Sequence, residues 1–167
     1  MTARPILQWP DRRLRTRVPP VDAVTDEIRR IWADMIDTME AMPGSGVGLA
    51  APQIGVMLRL AVVDASTERG AAICLANPEV VQASAEMRPH EEASPCLPGV
   101  SARIERPALV RVRFLDAEGA QVEREFKGLW ATSVQHQIDH LDGKLYIARL
   151  SRTKRDMLLR RARKGAR

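Results

Sequence analysis

The sequence predicts an α+β fold, and three features of its 167 residues lead there. Apolar residues recur at helical spacing near both ends of the chain. Between them lie short segments rich in alternating apolar and polar residues, cut by Gly, Pro and Asn-Pro punctuation. No segment repeats and no low-complexity linker divides the chain. One domain is therefore expected over residues 1–150, with residues 151–167 forming a basic C-terminal helix or tail of the same domain. Three Trp, two Phe and one Tyr leave its core to be built mainly from aliphatic side chains.

Residues 19–42 read as the first helix. Thr25 is placed to cap it, and Ile28, Ile31, Trp32, Met35, Ile36 and Met39 follow on one face. Pro43-Gly44-Ser45-Gly46 breaks the pattern. Leu49-Ala50-Ala51-Pro52-Gln53 reads as a small-residue turn leading to a strand at residues 58–63. A second apolar run, residues 71–76, is expected to stop at the turn-forming pair Asn77-Pro78. Residues 79–82 and 88–92 read as strands flanking a polar turn, and Pro95, Pro98 and Gly99 interrupt the next segment. Residues 103–105 and 108–115 are strand-like, the latter alternating Val110, Val112 and Phe114 with Arg111 and Arg113. Ala117-Glu118-Gly119-Ala120 turns the chain back into residues 122–126. Residues 129–141 form a helix closed by Asp142-Gly143, residues 145–147 a short strand, and residues 154–164 the last helix.

Charge is unevenly spread. The net charge is +5, yet residues 151–167 carry +7 and the other 150 residues carry −2. Such a tail is either a solvated helix or a contact for an acidic polymer such as ribosomal RNA. Two cysteines, Cys74 and Cys96, do not make a disulfide framework, and residues 1–10 carry no secretory or organellar leader. No stretch approaches the roughly 20 apolar residues that cross a bilayer. A cytoplasmic protein without membrane contact is expected.

Two runs carry chemistry. In His136-Gln137-Ile138-Asp139-His140, two histidines four apart share one helix face. That spacing sets two imidazole nitrogens at about the 2.0–2.1 Å that a metal ion requires. Zinc hydrolases place Glu after the first His, to take the proton from metal-bound water; Gln137 stands there instead. In Gly46-Val47-Gly48-Leu49-Ala50-Ala51-Pro52-Gln53, Gly46 and Gly48 let the backbone before Leu49 approach a ligand, and the Gln53 amide can donate to it. The same run also serves as a tight connection between elements.

Together these runs resemble the peptide deformylases, which remove formyl from the starting methionine of new proteins. That family carries G-x-G-L-A-A-x-Q, E-G-C-L-S and Q-H-E-x-D-H in this order. Here the first is intact from Gly46 to Gln53, the second is altered between Glu92 and Leu97, and the third, Gln135 to His140, has one change. Pro10-Asp11, Leu14-Arg15, Asn77-Pro78-Glu79 and Leu141-Asp142-Gly143-Lys144-Leu145 also match, in collinear order over residues 6–159.

The resemblance implies antiparallel strands packed around the helix bearing His136 and His140, followed by a C-terminal helix. It implies a divalent metal, iron or zinc, held by His136, His140 and the residue at the family's cysteine position. It further implies N-formylmethionyl nascent peptides as partners, the glycine run as their binding edge, and Gln53 beside the developing oxyanion. Contact with the ribosome through the basic tail is compatible with it.

The middle motif has two registers. Without a gap, Ser94 takes the cysteine position and Pro95, which has no N–H, takes that of the oxyanion donor. With compensating gaps, Cys96-Leu97 align instead, moving the sulfur by roughly 6.6 Å along a strand whose parity keeps Ser94 and Cys96 on one face. Glu91 or Glu92 could stand in as a carboxylate donor. Asp139 is expected to orient an imidazole or support the fold, His90 to lie on the surface, and Cys74 to lie in the core. In either register Gln137 cannot exchange a proton near neutral pH, so deformylase activity is expected to be weak or absent.

Overall fold

The computed structural model describes residues 2–165. They form three α-helices, α1 (Asp26–Glu40), α2 (Gly128–Leu141) and α3 (Arg152–Gly165). Seven strands accompany them: β1 (Gly48–Ala50), β2 (Leu60–Val63), β3 (Ile73–Ala83), β4 (Met87–Ser94), β5 (Leu97–Pro107), β6 (Leu109–Leu115) and β7 (Gln121–Lys127). One antiparallel sheet has the order β1-β2-β3-β6-β7, and β4 and β5 make a separate hairpin. The α+β expectation holds, with α2 wedged between sheet and hairpin. Among the described residues no helix is long and apolar enough to cross a membrane.

Local chemistry sets the boundaries. Thr25 caps α1, its hydroxyl accepting from Ile28 N–H, and Asp26 and Glu27 favour the positive end of the helix. The first helix is thus shorter than its apolar pattern, beginning at the cap. Ile28, Ile31, Trp32, Met35 and Met39 pack on Leu60 and Val62 of β2 in one core cluster.

Asn77-Pro78 does not end the second run as expected; β3 continues through it to Ala83. The pairing with β6 shifts register between Ala76 and Glu79, a bulge that absorbs both residues. Asn77 takes φ +52° there, and its side-chain amide clamps Val21 N–H and C=O at 2.8 Å each. The segments around Val80 and His90 do not pair with each other either: β3 joins β6, and β4 joins β5.

Residues 145–147 are not a strand. Tyr146–Arg149 is a 3-10 turn whose consecutive Tyr146 and Ile147 are both buried, a pattern that alternation cannot satisfy. Ahead of it, Gly143 has φ +77°, and a Cβ there would meet the Arg15 and Thr16 backbone at 2.9 Å, which explains the Asp142-Gly143 stop.

The C-terminal helix docks on the domain: Leu158 of α3 is buried in a cluster with Leu14, Leu97, Ile104 and Tyr146. Arg152, Arg160, Arg161 and Arg163 stay exposed and Arg155 is half-buried; the Arg163 guanidinium lies 5.1 Å over the Trp9 ring. Arg167, counted in the basic tail, lies outside the described residues.

Candidate active site

α2 is buried on nearly every side, and its two faces differ. Ala131, Val134, Ile138 and Leu141 meet Val63, Leu75 and Val112 of the sheet. Ser133, His136, Gln137 and His140 fall on another face at three- and four-residue spacing, and all but His136 are fully buried. The imidazoles of His136 and His140 lie with centroids 5.0 Å apart, and His136 stacks on Tyr146 at 5.9 Å. The two-histidine spacing thus delivers both rings to one place.

β4 faces them with His90, Glu92 and Ser94, alternate residues that are more buried than Glu91 and Ala93. Glu92 Oε1 accepts from His136 Nδ1 at 2.8 Å, which leaves Nε2 of that ring for a ligand. Arg106 of β5 donates to both Glu92 oxygens at 2.6 and 2.9 Å and to Asp139 at 2.9 Å. Arg149 closes the far side of Asp139 with two bonds, at 2.8 and 3.0 Å. Asp139 therefore pairs with two guanidinium groups and supports the fold; no hydrogen bond joins it to a ring nitrogen.

This buried chain of charges fixes its own ionisation. Burial raises the Glu92 carboxyl, but the hydrogen bonds and charges of His136 and Arg106 more than offset it, leaving it below its ordinary value. Asp139 is likewise raised by burial and lowered further by Arg149 and Arg106. His140 is driven well below the usual imidazole value by burial, then by His136. It is therefore neutral near pH 7, and neither of its nitrogens has a hydrogen-bond partner.

The middle motif is a turn, which changes the comparison of registers. β4 ends at Ser94, Ser94 pairs with Leu97, and Pro95-Cys96 make the two-residue connection to β5. Strand parity therefore does not bring Ser94 and Cys96 to one face. Cys96 is fully buried, and its sulfur accepts from Gln53 Nε2 at 3.3 Å. Burial pushes its thiol up, against smaller lowering bonds from Gln53 and Ser94. Ser94 Oγ accepts from Cys96 N–H at 3.2 Å. Gln53 spends its amide inside the protein, since Oε1 takes Ala50 N–H at 2.9 Å.

The glycine run is set by the helix opposite. A Cβ on Gly48 would lie 2.5 Å from Gln137 Nε2 and 2.6 Å from Ser133 Oγ, so only glycine lets β1 pass this close to α2. Leu49 is fully buried in the α1 cluster and does not face the opening, whereas Gly46 and Gly48 do. Gln137 is 3% exposed, and its Oε1 is buried without a donor.

Gly46, Gly48, Gln53, Glu92, His136 and Gln137 help line a cleft of about 270 Å³ between β1, β4 and α2, whereas Ser94, Cys96 and His140 lie outside its lining. A larger cavity of about 800 Å³ opens around Arg17, Arg59 and Asn77 on another side of α2. Its Arg59 is already paired with Asp142 at 2.8 Å and it contains no nucleophile or imidazole, so the chemistry favours the smaller cleft. His90 is not a surface residue: it lines that cleft, with Nδ1 2.5 Å from Thr132 Oγ1. Arg106 and Thr132 were not singled out from the sequence. The signal for Arg106 lies in β5, where it follows Ala102 and Ile104 on the inward face, a place for a charge only if it is paired.

The donors fit a metal only in part. His136 Nε2 and the unpartnered His140 nitrogens suit a divalent cation. Cys74 lies elsewhere, packed on the α1 cluster with its thiol raised to about 11 by burial. Among the described residues no three His, Cys, Asp or Glu side chains are arranged so that they could hold a metal ion. Ser94 offers a neutral hydroxyl, and both Glu92 oxygens are held by Arg106 or His136. The set lacks the anionic third donor that zinc or ferrous ion favours.

Known proteins share the whole architecture. A family profile described as polypeptide deformylase matches residues 3–156. The chain is 43% identical over 167 residues to a peptide deformylase-like protein of Bradyrhizobium diazoefficiens, covering 100% of this chain and 96% of that one. A peptide deformylase of Rhizorhabdus wittichii is 44% identical over 179 residues, with 99% and 100% covered. Among solved structures, a peptide deformylase from Legionella pneumophila superposes with TM-score 0.90 at 39% identity, covering 99% of this chain and 96% of that one. That from Ehrlichia chaffeensis in complex with actinonin gives 0.91 at 34% identity, covering 100% and 99%.

Proposed function

The chain belongs to the polypeptide deformylase family, and from that premise we propose that it is a member with little or no deformylase activity that keeps the N-terminal-peptide cleft. The observation that carries this reading is Gln137, a buried carboxamide on the site face of α2. A carboxamide neither accepts nor releases a proton near neutral pH, and loss of a positioned acid–base group costs about 10²–10⁴ in rate. Pro95 at the oxyanion position, and Ser94 in the place of a thiolate, point the same way. Metal, if taken up, is held by His136 and His140, with Ser94 as a weak third donor.

An alternative active amidase would recruit Cys96 as ligand. Against it stand the burial of Cys96, its raised thiol and its bond to Gln53.

Binding is supported by strand edges. β1 ends one sheet, and β4 pairs only with β5, so two free edges flank the cleft. An extended peptide can add to such edges through main-chain hydrogen bonds while its first residue enters the cleft. The partners on this reading are the N-termini of nascent chains in the cytoplasm. Protein purified without oxygen should bind formyl-methionyl tripeptide by calorimetry and release no formate on prolonged incubation. Absence of binding would remove the cleft from the account.

The basic face of α3 is assigned to ribosomal RNA. Because α3 is docked through Leu158, its charges are presented on a fixed surface. Co-sedimentation with ribosomes should weaken steeply between 50 and about 200 mM salt. It should also be lost on charge reversal of Arg160 and Arg161; binding that survives reversal would exclude the helix.

A further inference from the structure

We propose that the cleft selects the first residue of its peptide by a side-chain carboxamide, as in glutamine, in preference to methionine, and that His90 and Thr132 make the selection. This rests on the N-terminal-peptide reading above and names the side-chain class that the same site takes.

Two cross-links between β4 and α2 set the geometry. Glu92 meets His136 at 2.8 Å. Two residues back along the strand and one turn back along the helix, His90 Nδ1 meets Thr132 Oγ1 at 2.5 Å. The step between the two pairs is about 5.4 Å along the helix and about 6.6 Å along the strand. That is comparable to the span from a residue's end group to the tip of a long side chain. Donors for a carbonyl oxygen stand at the His136 end. Gln137 Nε2 has no partner among the described residues, and Gln53 Nε2 keeps one N–H beyond that given to Cys96 Sγ at 3.3 Å. A peptide end held there sets its first side chain against His90 and Thr132.

What this pair offers a ligand does not depend on its tautomer. A neutral ring and a hydroxyl hold one proton each, and their mutual bond uses one of the two. If Thr132 donates to Nδ1, the ring Nε2–H remains as donor and Oγ1 as acceptor. If Nδ1–H donates, the hydroxyl hydrogen remains as donor and Nε2 as acceptor. One donor and one acceptor are left over either way. His90 Nε2 has no partner among the described residues and is not sealed from solvent, so this capacity is open to the cleft. A carboxamide carries C=O and NH₂ on one carbon and matches both by turning its plane. Methionine of the same length covers the pair and satisfies neither group, and a site built to hydrogen-bond rejects an isostere that cannot. A carboxylate accepts without donating, no Lys or Arg lines the cleft to receive its charge, and Glu91 and Glu92 run along the same wall. Met42 and Leu129 also line the cleft and suit the methylene stem that glutamine shares with methionine.

The test is calorimetry of the full chain with three formylated tripeptides that differ only in the first residue, which is glutamine, methionine or glutamate. The glutamine peptide should bind about tenfold tighter than either of the others. His90→Leu with Thr132→Val, which makes both partners apolar, should reverse the order of glutamine and methionine, whereas a pair that only held the fold would weaken all three alike. Thr132→Val alone should narrow the ratio, and it keeps the test decisive if the double variant does not fold; an unchanged ratio overturns the role of the pair. Equal or tighter binding of the methionine peptide by the native protein, or tightest binding of the glutamate peptide, overturns the carboxamide preference and leaves the N-terminal-peptide reading standing. Failure of all three to bind overturns that reading and this inference with it.

Discussion

Gln137→Glu alone should raise deformylation only slightly, whereas Gln137→Glu with Ser94→Cys and Pro95→Leu should raise it by at least about 10²-fold over the native chain. The reason is the order of dependence in the site. A carboxylate at position 137 can exchange protons, but it needs an activated water to act on. His136 and His140 supply two neutral nitrogens and Ser94 a neutral hydroxyl, so the ion that would activate water is weakly held. Cysteine at position 94 lies on the same inward face of β4 as Glu92, which contacts His136 at 2.8 Å, and supplies the missing anionic donor. Leucine at position 95 returns the N–H. Groups that act as a unit recover together, so the three gains should exceed their separate sum. Formate release by each variant measures this directly. Full recovery from Gln137→Glu alone would contradict the ungapped register of Ser94.

Arg106→Met should destabilise the fold by about 3–5 kcal/mol, measured by urea denaturation. Arg106 is 1% exposed and lies between Glu92 and Asp139. Its loss leaves two buried carboxylates short of their shared cation, and Glu92 loses the partner that holds it against His136. Asp139 keeps Arg149, so the Glu92 side should bear most of the cost. Removing Glu92 along with Arg106, as a Glu92→Gln, Arg106→Met pair, should recover part of the loss, because the unpaired charge goes with it. A neutral effect of Arg106→Met would mean the network does not hold the hairpin on α2.

Much of the fold was legible in the sequence, for identifiable reasons. Helical spacing exposed α1 and its Thr25 cap, and the four-residue interval exposed the shared face of His136 and His140. Alternation exposed β6 and its hairpin to β7. Pairing partners were less legible. β3 runs through Asn77-Pro78 because Val21, distant in sequence, clamps the Asn77 amide, and turn propensity carries no record of that partner. The Pro95-Cys96 turn was hidden in the same way: strand parity was carried from Ser94 to Cys96, across the point where β4 turns into β5. His90 looked like a surface residue beside two acids, yet the parity that buries Glu92 also turns His90 to Thr132. Arg106 escaped notice because a lone arginine in a strand is ordinarily solvated. Only tertiary contact with Glu92 and Asp139 gives it a role.

The most direct measurement is a single-turnover assay with the native chain, purified without oxygen, supplied with iron or zinc and held in excess over formyl-methionyl peptide. Without a proton-exchanging group at position 137, no chelator-sensitive formate should appear on the timescale of the triple variant. Rapid, chelator-sensitive release from the native chain would contradict the account.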